Sequence, residues 1–377
     1  MIKLPEKIRR TLERIVAELR VRENIYGIGL FGSWSRGDAA STSDVDLFIL
    51  DKSNLPHEYV ERIEINGLFI DLDHVPKKWI HGPIPPEIDQ KLYEMQILYD
   101  RDWSLTNTKL LMTKSYTSPE RVDIRTETHI IDADIYLSRA TSAFSREDFC
   151  SAHLFASLAL ENILKVLIEI ALNPFSNSQF LENLEASTTK LGMQTLFSEF
   201  LEVTRLKEAN NESVKEKLRL FKNIWDEMQI TTKQNMQILN SSHFMVKTKL
   251  NYYLNQAFLQ GTIMRTNALI ENEKFSEASR YLNDILLNII ENYVWLKSST
   301  EKTKIDYTTL IRTLENLEQK NPKNYDHIIK FLNLNHINKS IADHTINKVR
   351  QIILQIRRNR KVLINNHIIK PKRSPVV

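Results

Sequence analysis

The stretch Leu30–Ile49, LFGSWSRGDAASTSDVDLFI, contains the features that decide the fold at the front of this 377-residue chain. The apolar run Ile25–Phe31 predicts a buried strand, and Gly32-Ser33 marks a sharp exit from it. A second apolar run, Val45–Leu50, predicts another buried strand. A turn that leads from a strand into a helix exposes backbone N–H groups and a hydroxyl where anions bind. The stretch therefore predicts two strands joined through an anion-binding turn.

Two carboxylates lie at the start of the second strand. Asp44 and Asp46 are two positions apart, so they share one face, and Val45 and Leu47 take the opposite, buried face. Side-by-side carboxylates repel each other unless a cation lies between them. Mg²⁺ suits this arrangement because it prefers a few carboxylates together with phosphate oxygens of a substrate. The pair therefore predicts a magnesium site beside the anion-binding turn.

A third carboxylate is expected from a neighbouring strand. The run Leu68–Asp73 offers Asp71 and Asp73, which share one face. Aspartate is depleted in strands, so acids at these positions need a reason. Asp71 is favoured because it lies nearer the strand centre, and Asp73 stays the alternative.

The surrounding residues extend this unit. Asn66-Gly67 between two apolar-rich runs is a strong signal for a type I′ hairpin turn. The predicted elements in chain order are a helix over Pro5–Glu23, the strands Ile25–Phe31 and Val45–Leu50 with a short helix between them, the hairpin strands Tyr59–Ile65 and Leu68–Val75, and a last strand at Met95–Tyr99. This order predicts a small α/β unit with a mixed sheet.

The long ordered pattern G-S-x-x-R-G-D-x-x-x-x-S-D-x-D-L, from Gly32 to Leu47, resembles the DNA polymerase β-type nucleotidyltransferase superfamily. The minimal and the kanamycin nucleotidyltransferase-like enzymes are the members it resembles most. The segment Ile97–Asp102 resembles the closing strand and turn of that domain. The resemblance covers residues 1–103, roughly a quarter of the chain.

The resemblance implies a role for each matching residue. Gly32 and Ser33 would hold the β and γ phosphates of a nucleoside triphosphate, with ATP the expected donor. Asp44, Asp46 and Asp71 would ligate two Mg²⁺ ions, and Asp71 would also help to deprotonate the acceptor hydroxyl. Arg36 would steady the loop or a phosphate, and an ordinary surface arginine fits its position equally well.

The rest of the chain is poor in residues that permit turns. Six of the eight glycines precede residue 83, which leaves Gly192 and Gly261 for the remainder. Between residues 120 and 370 the prolines are Pro174 and Pro322. Helices need few glycines and tolerate interior proline badly, so this part should be almost wholly helical. The sequence thus predicts an α+β chain, with a small mixed-sheet domain followed by mostly α-helical bundles.

The predicted domains are a nucleotidyltransferase domain over 1–103, a helical bundle over 104–242 and a further helical domain over 243–377. Ser151–Pro174, followed by Gln179–Leu191, resembles the bundle behind kanamycin nucleotidyltransferase-type cores, which is related to HEPN bundles. Over residues 193–240 we expect two more helices. The tail Lys370–Val377 is expected to fray.

Charge and composition narrow the class of protein. Residues 1–103 carry 14 Lys and Arg against 18 Asp and Glu, so the other 37 and 29 make the remainder mildly basic. The single cysteine, Cys150, excludes an internal disulfide. The N-terminal residues have no apolar signal-peptide core, and no uncharged apolar run is long enough to span a membrane. We therefore expect a cytoplasmic protein with no membrane partner.

These observations predict an enzyme that moves NMP from an NTP onto a hydroxyl of a small-molecule acceptor and releases pyrophosphate. One alternative keeps the chemistry and changes the acceptor to a protein or tRNA, although the acidic first domain does not favour nucleic acid. Another is a regulatory module that binds nucleotides without turnover. The sequence leaves a homodimer open.

Overall fold

The computed structural model describes residues 4–40, 42–319 and 321–369. The predicted fraying of residues 370–377 lies outside the described residues. The chain forms two compact units, which we call the sheet unit (Met1–Tyr116 with Leu239–Ala268) and the helical unit (Thr117–Ile238 with Leu269–Val377). The domain division predicted from sequence assigned nothing beyond residue 103 to the sheet domain. The sheet unit, by contrast, includes the helix after residue 103 and the returning segment Leu239–Ala268.

The sheet has five strands, each near its predicted position. They are β1 (Ile25–Phe31), β2 (Val45–Asp51), β3 (Tyr59–Ile65), β4 (Leu68–Pro76) and β5 (Gln96–Asp100). Their spatial order is β3-β4-β2-β1-β5. The β2–β4 pair is parallel, and β1–β2, β1–β5 and β3–β4 are antiparallel. The mixed sheet and the α+β class are therefore confirmed.

The hairpin between β3 and β4 has the predicted turn. Asn66 and Gly67 both have positive φ angles, 53° and 72°. A type I′ turn requires this at both central residues, and glycine and asparagine reach such angles at low cost. The turn fixes the register of β4 against β3, which matters for the site below.

The sheet buries apolar side chains on both faces. Val45, Leu47 and Ile49 of β2 pack in the cluster that includes the apolar stripe of the first helix, whereas Phe48 and Leu50 pack in the cluster on the other face. Each such side chain stabilises the fold by roughly 1.5–3 kcal/mol when fully buried. Alternation along β2 is the reason that Asp44 and Asp46 avoid the face occupied by Val45 and Leu47.

Helices make up most of the rest. In the sheet unit they include α1 (Glu6–Arg20), α2 (Gly32–Arg36), α3 (Asp89–Glu94) and α4 (Ser104–Ser115). The next are α5 (Pro119–Ser145), α6 (Phe149–Ala171), α7 (Phe180–Lys190), α8 (Gln194–Val203), α9 (Asn211–Gln234) and α10 (Met236–Ser241). The last are α11 (Phe244–Tyr253), α12 (Gln256–Glu271), α13 (Phe275–Glu301), α14 (Leu310–Leu317), α15 (Pro322–Phe331) and α16 (Lys339–Ile364), followed by a π-helical turn over Asn365–Ile369.

The helical prediction is confirmed, with two differences in detail. Residues 193–240 contain most of three α-helices rather than two, because α9 ends at Gln234 and α10 begins at Met236. The sequence analysis also passed over α4, whose apolar pattern is weak. Within the described ranges, none of the helices combines the length and apolarity that crossing a bilayer requires.

Candidate active site

The carboxylates predicted from sequence lie close together where β2 and β4 pair with each other. Parallel pairing sets Asp46 directly beside Asp71, and Asp44 immediately precedes β2. One oxygen from each of Asp44, Asp46 and Asp71 lies within 4.8 Å of the others. We call these three residues the acidic triad. The period-2 register of the two strands is sufficient to bring them together.

An arginine that the sequence analysis did not select lies on the acidic triad. Arg62 of β3 pairs with Asp71 in the antiparallel register. Its Nε donates to Asp71 Oδ1 at 2.6 Å, and its Nη2 contacts Asp71 Oδ2 and Asp44 Oδ2, each at 2.5 Å. Arg62 is 5% exposed, so its charge is neutralised within the site rather than by water.

The returning segment Leu239–Ala268 supplies two more polar groups. The hydroxyl of Tyr252, on α11, donates to Asp71 Oδ2 at 2.8 Å. Arg265, on α12, forms an ion pair with Asp44 through Nη2 and Oδ1. The site is therefore built from strands of the first 76 residues and from helices whose contacting residues lie 181 and 221 positions later in the chain.

Packing holds this segment against β3. The Arg62 guanidinium lies 5.6 Å from the Tyr252 ring centroid and 5.0 Å from that of Phe258, which are cation–π distances. Asn255 donates its side-chain amide to the Arg62 carbonyl at 3.3 Å. At Gly261 an added Cβ would lie 2.9 Å from Arg62 Nη1, so the absence of a side chain lets α12 approach the strand.

Burial and the charges of neighbouring residues shift the pKa values of the three triad carboxylates. Burial, with the charges of Asp44 and Asp71, raises the pKa of Asp46 well above its usual value. Burial also raises the pKa of Asp71, despite its pairing with Arg62. At Asp44 burial is outweighed by the guanidinium groups of Arg265 and Arg62, so its pKa is lowered. Three acids and two arginines thus share a small, poorly solvated space.

The turn after β1 has the left-handed backbone conformation that favours glycine. Gly32 has φ +73°, and an added Cβ would overlap Asp46 Oδ2. The Gly32 N–H donates to Glu94 Oε1 at 2.8 Å. Ser33 is half-buried, and within the described part of the chain its hydroxyl makes no hydrogen bond. Close approach of this turn to Asp46 therefore requires glycine.

Arg36 steadies the turn in this structure. Its Nη1 lies 3.0 and 2.9 Å from the two carboxylate oxygens of Glu94, and its Nε donates to Asp38 at 3.1 Å. Ser35 donates to the Glu94 carbonyl at 2.6 Å. Glu94, which the sequence analysis did not select, thus ties three residues of the turn to α3.

Asp73 belongs to a different cluster. Its Oδ2 contacts Lys91 Nζ at 2.5 Å, and Lys91 also donates to Glu58 at 2.9 Å. We call Asp73, Lys91 and Glu58 the lysine cluster. Of the two acids that the sequence left open, the structure brings Asp71, not Asp73, to Asp44 and Asp46.

The donor set of the acidic triad fits a divalent cation. Three carboxylates supply the hard oxygen ligands that Mg²⁺ and Mn²⁺ prefer. A cation would also offset the repulsion that raises the pKa of Asp46. Asp44, Asp46 and Asp71 are thus the residues that would hold it.

Comparison with known proteins identifies the domain that carries this site. The model of the nucleotidyltransferase domain family matches residues 9–101. A Methanocaldococcus jannaschii protein named "Putative protein adenylyltransferase" is 36% identical over 89 residues, which are 22% of this chain and 87% of the relative. The chain belongs to the nucleotidyltransferase domain family. The resemblance inferred from Gly32–Leu47 is confirmed at this level.

A solved structure is also similar to this nucleotidyltransferase-family chain. It is a nucleotidyltransferase-like protein from Exiguobacterium sibiricum, with 12% identity and a TM-score of 0.32. The match covers 70% of this chain and 91% of the other.

Sequence reasoning missed the residues that surround the acidic triad. Arg62 lies between Glu61 and Glu64, a pattern that reads as a solvated edge strand. Tyr252 and Arg265 carry no local signal at all. Gly261 did offer a local signal. Glycine is rare in this part of the chain, and inside a helix it costs about 1 kcal/mol relative to alanine.

Proposed function

We propose that this chain transfers the NMP group of a nucleoside triphosphate, ATP by expectation, to a hydroxyl acceptor and releases pyrophosphate. The observation that carries this proposal is the acidic triad, drawn from two parallel strands of a nucleotidyltransferase domain. Two Mg²⁺ ions held by the triad would supply charge neutralisation at the transferring phosphate and at the leaving oxygen.

The chain's own residues have distinct parts in this proposal. Gly32 and Ser33 would bind the β and γ phosphates, for which the Ser33 hydroxyl is available among the described residues. Asp71 would take the proton of the acceptor hydroxyl, the role that the resemblance to the nucleotidyltransferase superfamily implies for it. Arg36 would act through the loop, because its guanidinium is bound to Glu94.

The chemical class of the acceptor has weaker support than the transfer reaction. The sequence analysis predicted a small molecule, and the name of the M. jannaschii relative supports a protein instead. Either acceptor presents a hydroxyl to Asp71, so the chemistry at the triad is the same. The HEPN-like nature of the helical bundle, the preference for ATP and the cytoplasmic location stay predictions.

A second candidate function is nucleotide binding without turnover. It is favoured by the guanidinium groups of Arg62 and Arg265, which pair with the carboxylates that metal ions would use. Carboxylates more than about 8 Å apart would also have favoured it, since metals in two-metal sites lie ~3.5–4 Å apart. The spacing within 4.8 Å instead supports catalysis.

The test uses the full chain, α-labelled ATP, and Mg²⁺ or Mn²⁺, with small hydroxyl compounds, proteins and tRNA as acceptors. We expect labelled product with wild type and none with Asp44→Asn/Asp46→Asn. Glu61→Gln, an exchange on the neighbouring β3 strand outside the triad, is the matched control and should retain transfer. Nucleotide binding without any labelled product would establish the second candidate, and absence of binding would reject both.

A further inference from the structure

We propose that Tyr252 is a self-modification site, whose phenol oxygen receives the NMP group from the triad of its own chain. This inference rests on the proposed function and deepens it by naming one acceptor. The observation behind it is the hydrogen bond of 2.8 Å from the Tyr252 hydroxyl to Asp71 Oδ2. Asp71 is the carboxylate expected to take the acceptor proton, so Tyr252 lies where an acceptor hydroxyl must lie.

The position of Tyr252 is fixed by several contacts of its segment. Its ring lies 4.9 Å from that of Phe258 at an interplanar angle of 64°, and the Arg62 guanidinium lies 5.6 Å from its ring centroid. Asn255, three residues after Tyr252, donates a hydrogen bond to the Arg62 carbonyl. A nucleophile held in this way needs no binding step, and such positioning accelerates reactions strongly.

The neighbouring tyrosine provides an internal contrast. Tyr253 is also half-buried, and its ring lies 5.1 Å from that of Tyr252. The bond to Asp71, however, comes from Tyr252. If proximity to the base selects the acceptor, modification should distinguish two adjacent residues of the same type.

The reaction is balanced with ATP alone. The phenol oxygen of Tyr252 forms a bond to the α-phosphorus, and the bond from that phosphorus to the bridging oxygen of pyrophosphate breaks. Pyrophosphate leaves with the bonding electron pair, and the phenol proton passes to Asp71 Oδ2. The product is an adenylyl group joined to the tyrosine through a phosphodiester, with one group per chain.

The experiment is intact-mass and peptide mass spectrometry of the full chain, before and after incubation with ATP and Mn²⁺. We expect a gain of one adenylyl group on the peptide that contains Tyr252, or its presence already in the purified protein. Tyr252→Phe should lose the modification, and Tyr253→Phe, the matched control, should keep it. Asp71→Asn should slow labelling by about 10²–10⁴-fold, the usual range for loss of a general base.

The kinetics test whether the transfer is intramolecular. The labelling rate per chain should stay constant when the protein is diluted, and a rate proportional to protein concentration would overturn the proposal. Modification at any other residue, or equal labelling of Tyr252→Phe and wild type, would also overturn it. Circular dichroism and thermal melting of Tyr252→Phe exclude loss of folding as the cause.

The results of these experiments distinguish failure of the self-modification proposal from failure of the proposed function. Transfer of label to another acceptor, with Tyr252 unmodified, rejects self-modification and leaves the proposed function intact. Absence of transfer to every acceptor, Tyr252 included, rejects both.

Discussion

Strand β4 carries two buried aspartates that have different surroundings. Asp71 faces two other carboxylates, Arg62 and a tyrosine hydroxyl, whereas Asp73 faces Lys91 and Glu58 in the lysine cluster. The two residues share one face of one strand, so the sequence favoured Asp71 by its position nearer the strand centre but left Asp73 as the alternative. Their neighbours differ because Asp71 pairs with Asp46 of β2, whereas Asp73 pairs with Phe48. Residue type and strand position are therefore insufficient to identify the acid that joins the triad, because the partners across the sheet decide it.

The largest expected difference between the two aspartates is in catalysis. Asp71→Asn should lower the rate of NMP transfer by about 10²–10⁴-fold, since it removes a general base as well as a cation ligand. Asp73→Asn should change the rate by no more than a few-fold. Initial rates with saturating ATP measure both. Equal losses in the two variants would contradict the distinction drawn here.

We expect the lysine cluster, in contrast to the triad, to affect the free energy of unfolding more than the rate of transfer. Lys91→Met leaves Asp73, 2% exposed, without its cation, and removal of one partner of a buried ion pair typically costs about 3–5 kcal/mol. Because Lys91 is partly exposed, we expect about 3 kcal/mol in urea unfolding. Adding Asp73→Asn to this variant should recover part of the loss, because the unpaired charge disappears. A fully additive double variant would show that the two groups do not interact.

Lys217 extends the comparison to a buried cation in the helical unit. Its ammonium donates to Ser279 Oγ at 3.1 Å, and burial lowers its pKa to about 7. Since the unfolded chain has the higher pKa and binds more protons, stability should rise with pH between about 7 and 10, by up to about 1.4 kcal/mol per pH unit.

Lys217→Met should flatten this pH dependence, measured as the difference in unfolding free energy between variant and wild type. Lys91 is the internal contrast, since Asp73 and Glu58 outweigh burial and raise its pKa. An unchanged pH profile in Lys217→Met would show that Lys217 is solvated in the folded protein.

The smallest expected effect concerns Arg265. Its guanidinium and a divalent cation compete for Asp44, so Arg265→Gln should bind Mn²⁺ more tightly, by up to about tenfold, or about 1.4 kcal/mol. Arg219→Gln, on an exposed face of α9, is the matched control and should leave Mn²⁺ affinity unchanged. Weaker Mn²⁺ binding in Arg265→Gln would contradict the competition.

Much of the sheet and of the triad could be predicted because their signals are local. The apolar runs, the Asn66-Gly67 turn and the two-residue spacing of Asp44 and Asp46 each act over a few residues. Asp71 was favoured because it lies nearer the centre of the predicted strand, with Asp73 left as the alternative. These features depend on backbone periodicity, which a single sequence displays.

The rest of the site depends on contacts between distant residues. Tyr252 lies 181 residues after Asp71 and Arg265 lies 221 residues after Asp44, and no periodic pattern records which helix returns to the sheet. Arg62 is polar in a strand whose neighbours in sequence are also charged, so its burial becomes visible only with the register against β4. Tertiary partners, rather than local propensity, decide such positions.

The most direct test of the acidic triad as the nucleotide site is binding of Mn²⁺ with a non-hydrolysable ATP analogue, followed by electron paramagnetic resonance and calorimetry. Wild type and Asp73→Asn should bind the metal–nucleotide complex with similar affinity, and Asp46→Asn should lose at least about tenfold, or about 1.4 kcal/mol. Equal binding by Asp46→Asn and wild type, or an equal loss in Asp73→Asn, would contradict this assignment.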